Sequence, residues 1–205
     1  MPPARDLTRL LPGLFVWENY DSAVKAELFS SAIVTSTGLY IVDPIPLLAE
    51  RVAELMDVAP VSGVIVTNSN HRRAASDYAN MFVAPIFAHA ESFPEPELPC
   101  LIEIDDGQRI GNELEVVTID GAPPGEIALY HSPDGGTLIV GDALINFEPY
   151  GFTFLPRKYC RSAKEMRRSL RKLLARQAER LLFAHGTPIL SGASARLQQL
   201  LDLDL

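Results

Sequence analysis

Val64-Ile65-Val66-Thr67-Asn68-Ser69-Asn70-His71-Arg72-Arg73-Ala74 sets the reading of the whole chain. Its first half is an apolar, β-branched run, as expected for a strand covered on both faces. Its second half places amides, one histidine and two arginines before a helical pattern with Ala74, Tyr78, Met81 and Phe82 on one face. Strand, tight turn and helix N-terminus in succession is where open α/β sheets collect ligands. Asn68, Asn70, His71, Arg72 and Arg73 are not a recognisable metal cage, so function hangs on whether this turn holds a metal.

On the N-terminal side, Leu14–Trp17, Ser31–Thr35 and Leu39–Val42 read as strands, and Asp43-Pro44 stops the last. Leu48, Val52, Leu55 and Met56 follow at helical spacing. On the C-terminal side, Pro85–Ala88 is a short strand, and a Pro- and Glu-rich loop from Phe93 to Pro99 closes the first half. Leu101–Ile104, Leu114–Ile119, Ile127–Tyr130 and Thr137–Val140 read as further strands, the last two joined by a Pro133-Asp134-Gly135-Gly136 turn. Ser162 and Glu165 form a capping box for a helix carrying Met166, Leu170, Leu173 and Leu174. Leu181–Ala184 is one more buried strand, and a final helix from near Ser191 carries Ala193, Leu197, Leu200 and Leu201. Two β-rich halves that each end in β-α units predict two packed sheets with helices outside.

The 205 residues, 47% of them hydrophobic, suffice for one domain with a substantial core, and residues 1–205 are taken as one. A net charge of −8 argues against a general nucleic-acid binder. Cys100 and Cys160 form no C-x-x-C pair and no disulfide framework, which points to the cytoplasm. No apolar run reaches membrane-spanning length, so a soluble protein is expected.

In order and in motifs, the chain resembles the metallo-β-lactamase superfamily, which implies an α/β, four-layer αββα sandwich. Thr67 to Arg73 lies where that family writes T-H-x-H-x-D-H, and Val42-Asp43-Pro44 resembles the strand end that precedes it. Gly121-Ala122-Pro123-Pro124-Gly125-Glu126 sits where a G-H-T-P-G-S turn supplies a third histidine. Gly141-Asp142-Ala143-Leu144 matches the segment whose aspartate bridges two metals, and Ala184-His185-Gly186 matches the closing histidine. Each motif is weak alone; their order and spacing make the fold specific.

The resemblance also locates the departures. Asn68 and Asn70 stand for histidines, Arg72 for an aspartate, Arg73 for a histidine and Ala122 for the third-turn histidine, leaving Asp142 and His185. Zinc takes three or four imidazole, thiolate or carboxylate ligands, and guanidinium groups beside it add repulsion. The family's hydrolysis depends on metal-activated water, so the replacements argue against a dinuclear zinc hydrolase. His71, Asp142 and His185 have the composition of a two-histidine, one-carboxylate set for a single zinc or iron. Against that, His71 occupies a spacer slot that in the family directs its side chain away from the metals. The alternative is that His71 packs at the helix start.

With Asn70 as N-cap, Arg72 and Arg73 would fall in the first helical turn, against the macrodipole. Three readings stay open. A guanidinium fills the old metal cleft and pairs with Asp142; Asn68, Asn70, Arg72 and Arg73 form a pocket for a small anion; or both arginines turn to solvent. Asp142 with His185 could act as an acid–base pair, or only hold two loops together. His89 reads as packed or hydrogen-bonded at a strand end, and His131 as exposed.

Residues 157–180 are strongly basic, and Glu91 to Asp120 is acidic with Arg109 as its single cation. The two stretches can neutralise each other within or between subunits, or the basic helix can contact nucleic-acid phosphates. Tyr150, Phe152 and Phe154 lie in an aromatic segment that forms either a wall for a ligand or a homodimer contact. The leading expectation is thus a metal-free protein binding a small, anionic molecule, with a mononuclear hydrolase and an interaction protein as alternatives.

Overall fold

The computed structural model describes residues 1–93 and 100–203. The Pro- and Glu-rich loop expected at 93–99 lies, apart from Phe93, outside the described residues. Seven strands run in sequence order in the first sheet: β1 (Thr8–Leu11), β2 (Leu14–Asp21), β3 (Ala26–Thr35), β4 (Gly38–Val42), β5 (Val61–Val66), β6 (Ile86–Ala88) and β7 (Leu101–Glu103). The second sheet holds β8 (Arg109–Ile110), β9 (Leu114–Thr118), β10 (Ile127–His131), β11 (Thr137–Val140) and β14 (Arg180–Phe183), in the order β14-β11-β10-β9-β8. Between these last two, β12 (Leu144–Phe147) and β13 (Gly151–Phe154) pair as a separate hairpin. Four helices complete the fold: α1 (Ala49–Val58), α2 (Ala75–Phe82), α3 (Ala163–Leu170) and α4 (Ala193–Asp202).

Both sheets are mixed. Strands β1 to β4 are antiparallel neighbours and β4 to β7 parallel ones, while β11 pairs antiparallel with β10 and parallel with β14. The two-residue period of a strand then builds four layers. Leu14, Val16, Tyr40, Val42 and Ile65 of the first sheet meet Leu114, Val116, Ile127, Leu129, Ile139 and Leu182 of the second in a central core. Their neighbours Phe15, Trp17, Leu39, Ile41, Val64 and Val66 face the other way, onto Val52, Leu55, Ala75 and Tyr78 of α1 and α2. Val117, Ala128, Leu138, Val140, Leu181 and Phe183 likewise face Met166, Leu170, Leu197 and Leu201 of α3 and α4. The αββα arrangement expected from the sequence is the one observed.

Details differ from the sequence expectation. Met56 and Met81, placed on inward stripes above, are 53% and 60% exposed, because Val52, Leu55, Tyr78 and Ala79 already fill the contact with the sheet. The aromatic segment is a strand pair, with Phe147 opposite Gly151. Ser162 caps α3 as expected, its Oγ accepting from the Glu165 N–H at 3.3 Å. Among the described residues, no helix is long and apolar enough to cross a membrane.

Candidate metal centre

Four strand ends converge on the site: Asp43 after β4, Thr67 to Arg73 after β5, Asp142 after β11 and His185 after β14. The turn after β5 does not start a helix at Asn70. Asn68 Oδ1 accepts from the Asn70 N–H at 2.8 Å, the Asn68 carbonyl accepts from His71 N–H at 3.1 Å, and Pro44 O accepts from Ala74 N–H at 3.0 Å. These bonds use the amides in a looped turn, and α2 begins only at Ala75. Arg72 and Arg73 therefore precede the helix, with Arg73 at φ 36°, which corrects the first-turn placement.

The looped turn carries His71 into the core, where it is 1% exposed. Its Nδ1 lies 2.9 Å from Asp43 Oδ2, and Asp43 also accepts from Thr67 N–H at 2.8 Å and Thr67 Oγ1 at 2.5 Å. The other ring nitrogen, Nε2, is 3.2 Å from Asp142 Oδ1 without the geometry of a hydrogen bond, so it is a buried nitrogen lacking a hydrogen-bond partner. His185 Nε2 is 3.3 Å from the same Oδ1, and the two imidazole centroids are 5.4 Å apart. His71, Asp142 and His185 offer one ligand atom each, all within 4.8 Å of one another. A His–Asp–His cluster that could hold a metal ion is thus in place, and His71 belongs to it despite the spacer slot it occupies.

Asn68 and Asn70 face the carboxylate as well. Their Nδ2 atoms donate to Asp142 Oδ2 at 3.2 and 3.0 Å, leaving Oδ1 toward the histidines. Asn68 Nδ2 also donates to Glu126 Oε2 at 2.6 Å, and Glu126 Oε1 accepts from Ala143 N–H at 2.9 Å. Glu126 was not foreseen as a site residue; the available signal was an acid set directly before the apolar run Ile127–Leu129. The backbone at Gly141 passes so close that a Cβ there would lie 2.6 Å from Thr67 Oγ1 and 2.8 Å from Glu126 Oε1.

The arginines part company. Arg73 reaches inward, but to carbonyls rather than to Asp142: NH1 donates to Phe29 O at 2.6 Å and Asp43 O at 3.1 Å, and NH2 to Ala184 O at 3.3 Å. Arg72 is exposed, donates from Nε to Ser92 O at 2.7 Å and lies over the Phe93 ring. Of the four residues expected around an anion, Asn70 and Arg73 line one cavity together with His71, while Arg72 turns to Ser92 and Asn68 is buried against Glu126 and Asp142. His89 Nδ1 accepts from Glu91 N–H at 3.2 Å, and His131, expected to be exposed, is half-buried 3.2 Å from Glu113.

Charge in the cluster is balanced by protons. Burial works against an imidazolium at His71, yet the carboxylates of Asp142 and Asp43 outweigh it and raise its pKa to about 9. Burial would raise the Asp142 carboxyl, but His71 and His185 hold it well below the usual range. Burial, with the charge of Asp142 beside it, pushes Glu126 up to about 8. His185 is lowered, by burial first and then by the charge of His71.

A cavity of about 1000 Å3 opens over His71, Asp142 and His185. Leu28, Ile145, Phe147, Tyr150 and Tyr159 give it apolar walls, and Lys25 and Lys158 add cations. Of the aromatic segment singled out in the sequence, Tyr150 lines this cavity, whereas Phe152 and Phe154 pack into the core beneath α3.

The sequence model of the metallo-β-lactamase superfamily matches residues 5–203. The chain belongs to the metallo-β-lactamase superfamily. Solved structures of this fold superpose along most or all of the chain. The metallo-β-lactamase DIM-1 aligns with TM-score 0.75 at 12% identity, covering 100% of this chain and 99% of its own. A metallo-β-lactamase family protein from Thermus thermophilus aligns with TM-score 0.67 at 21% identity, covering 96% and 80%. TTHA1623, solved in a di-iron-bound form, aligns with TM-score 0.64 at 18% identity, covering 88% and 97%. Among curated proteins, none matches the chain. This metallo-β-lactamase-fold protein thus shares its architecture with metal-binding relatives while presenting asparagines and an arginine around its Asp142.

Proposed function

We propose that this protein holds a single transition-metal ion on His71, Asp142 and His185 and acts as a hydrolase on a small molecule taken into the cavity above them. The buried Nε2 of His71, which faces Asp142 Oδ1 at 3.2 Å without making a hydrogen bond, carries this reading. A metal-binding imidazole characteristically gives its other nitrogen to a carboxylate, as His71 Nδ1 does to Asp43. Ligands at about 2.0–2.1 Å around a tetrahedral ion stand roughly 3.3 Å apart. The separations of Asp142 Oδ1 from His71 Nε2 and His185 Nε2, 3.2 and 3.3 Å, fit such an edge.

When bound, such an ion polarises a scissile bond and brings the pKa of water near 7. The chain's own residues set the rest. Asp43 orients the His71 ring, the amides of Asn68 and Asn70 aim Oδ1 of Asp142 at the histidines, and Arg73 ties the segments of Phe29, Asp43 and Ala184 beneath them. Amide N–H donors and a guanidinium in these positions offer no ligand to a second cation and oppose it. The apolar walls exclude water around a bound molecule.

A metal-free binding protein is the competing reading, favoured by one observation: a proton on His71 already neutralises part of the Asp43–Asp142 charge. An anion in an arginine-bearing cleft has less support, since Arg72 turns away and Arg73 is committed to carbonyls. Elemental analysis of protein purified without chelators separates these. One equivalent of zinc or iron, lost in His185→Ala, supports the single-metal hydrolase; protein without metal that takes up none on dialysis overturns it.

A further inference from the structure

We infer that the groove along α3 is a binding site for a compact polyphosphate-bearing molecule. Arg157, Arg161, Lys164, Arg167, Arg168 and Arg171 line a concavity of about 740 Å3, and no carboxylate lines it among the described residues. Their alignment follows from the helix. Met166, Leu170 and Leu173 are fully buried in the core beneath α3, which turns Lys164, Arg168 and Arg171, spaced four and three apart, to the opposite side. From Lys164 to Arg171 the helix rises roughly 10 Å.

Neutralisation within the chain is incomplete. As the charge pattern suggested, the acidic stretch does pair with the basic one: Arg161 meets Glu91 at 2.8 Å, Lys172 meets Asp120 at 3.1 Å, and Arg176 meets Glu115. Arg168 reaches Glu165 at 3.5 Å and Arg171 reaches Asp202 at 3.7 Å, while Arg167 stacks over Phe154. Arg157 and Lys164 have no ion-pair partner among the described residues. Concentrating these cations on one face of a chain of net charge −8 costs repulsion that a multivalent anion relieves. Guanidinium forks match phosphate oxygens.

The shape selects among polyanions. The concavity has the size of a small-ligand site, and no aromatic side chain lines it to stack nucleobases. Nor does it carry the large apolar side chains that anchor a helix in a lipid surface, apart from Leu201. It is also separate from the cavity above His71. The turn Arg157–Tyr159 divides them, with Lys158 and Tyr159 on the cavity side and Arg157 on the groove side. Phosphate binding in the groove therefore does not depend on the metal.

The test is calorimetric titration of the full chain with inorganic tripolyphosphate, at low and high salt, beside the double variant Lys164→Glu, Arg168→Glu. Both residues are exposed, so the melting temperature of the variant reports that it folds. Binding by the wild type that weakens with salt, and about tenfold or greater weakening in the variant, supports the site. The inference is overturned by any of three results: no binding at roughly millimolar tripolyphosphate, equal binding in the variant, or an oligonucleotide or anionic vesicle that binds while tripolyphosphate fails to compete.

Discussion

Asp43 Oδ2 receives His71 Nδ1 at 2.9 Å, and this contact decides which nitrogen of the ring looks toward Asp142 and His185. It joins the end of β4 to the turn after β5, next to the Thr67 N–H that Asp43 also accepts. Replacing Asp43 with Asn keeps the shape but removes the charge. We expect Asp43→Asn to weaken zinc affinity by about ten- to hundredfold, read by competition with a chromophoric chelator. Unchanged affinity would remove His71 from the ligand set.

Arg73 holds carbonyls from three separate segments, those of Phe29, Asp43 and Ala184. Arg73→Met leaves these acceptors without their charged donor and should lower unfolding free energy by roughly 2–4 kcal/mol. Arg73→Lys should recover only a minor part, since one ammonium lacks the planar fork. Denaturant titration measures both; wild-type stability in either variant would show that Arg73 braces nothing.

Gly141 is required by space. A methyl group would sit 2.6 Å from Thr67 Oγ1, 2.8 Å from Glu126 Oε1 and 3.0 Å from Asn68 Nδ2. Gly141→Ala is expected to cost about 1–3 kcal/mol of stability and to shift Asp142 enough to weaken metal binding. A variant that melts and binds like the wild type would mean that the loop relaxes freely.

Stability of the chelated protein should depend on pH through His71, whose pKa rises from 6.5 to about 9 on folding. Because the folded value is the higher one, the proton stabilises the fold fully below about 6.5, and this contribution fades as pH climbs through about 9. Its full size is roughly 3 kcal/mol. Denaturant midpoints of metal-free wild type should therefore fall across that interval, while those of His71→Gln stay flatter. Parallel pH profiles would show that His71 carries no such proton.

The layers were legible because alternation along Val64-Ile65-Val66 and Leu138-Ile139-Val140 divides neighbouring side chains between two cores. The site was legible only as a set of segments. Asn70 looks like an N-cap, yet Asn68 takes its N–H, and this one hydrogen bond delays α2 to Ala75 and swings His71 inward. Local propensity does not reveal that choice, because the Asn68 amide is fixed by Glu126 and Asp142, 58 and 74 residues away. Glu126 was hidden for the same reason: its partners are distant in sequence. The β12–β13 hairpin was not read from the sequence, although Phe152 and Phe154 alternate with Thr153.

Central to all of this is the proposal that His71, Asp142 and His185 hold one metal ion. Anomalous-difference density from crystals grown with zinc tests it most directly. One peak is predicted, at about 2.0–2.1 Å from His71 Nε2, His185 Nε2 and Asp142 Oδ1. Two neighbouring peaks, a peak ligated by Asn68 and Asn70, or no peak at the cluster would contradict it.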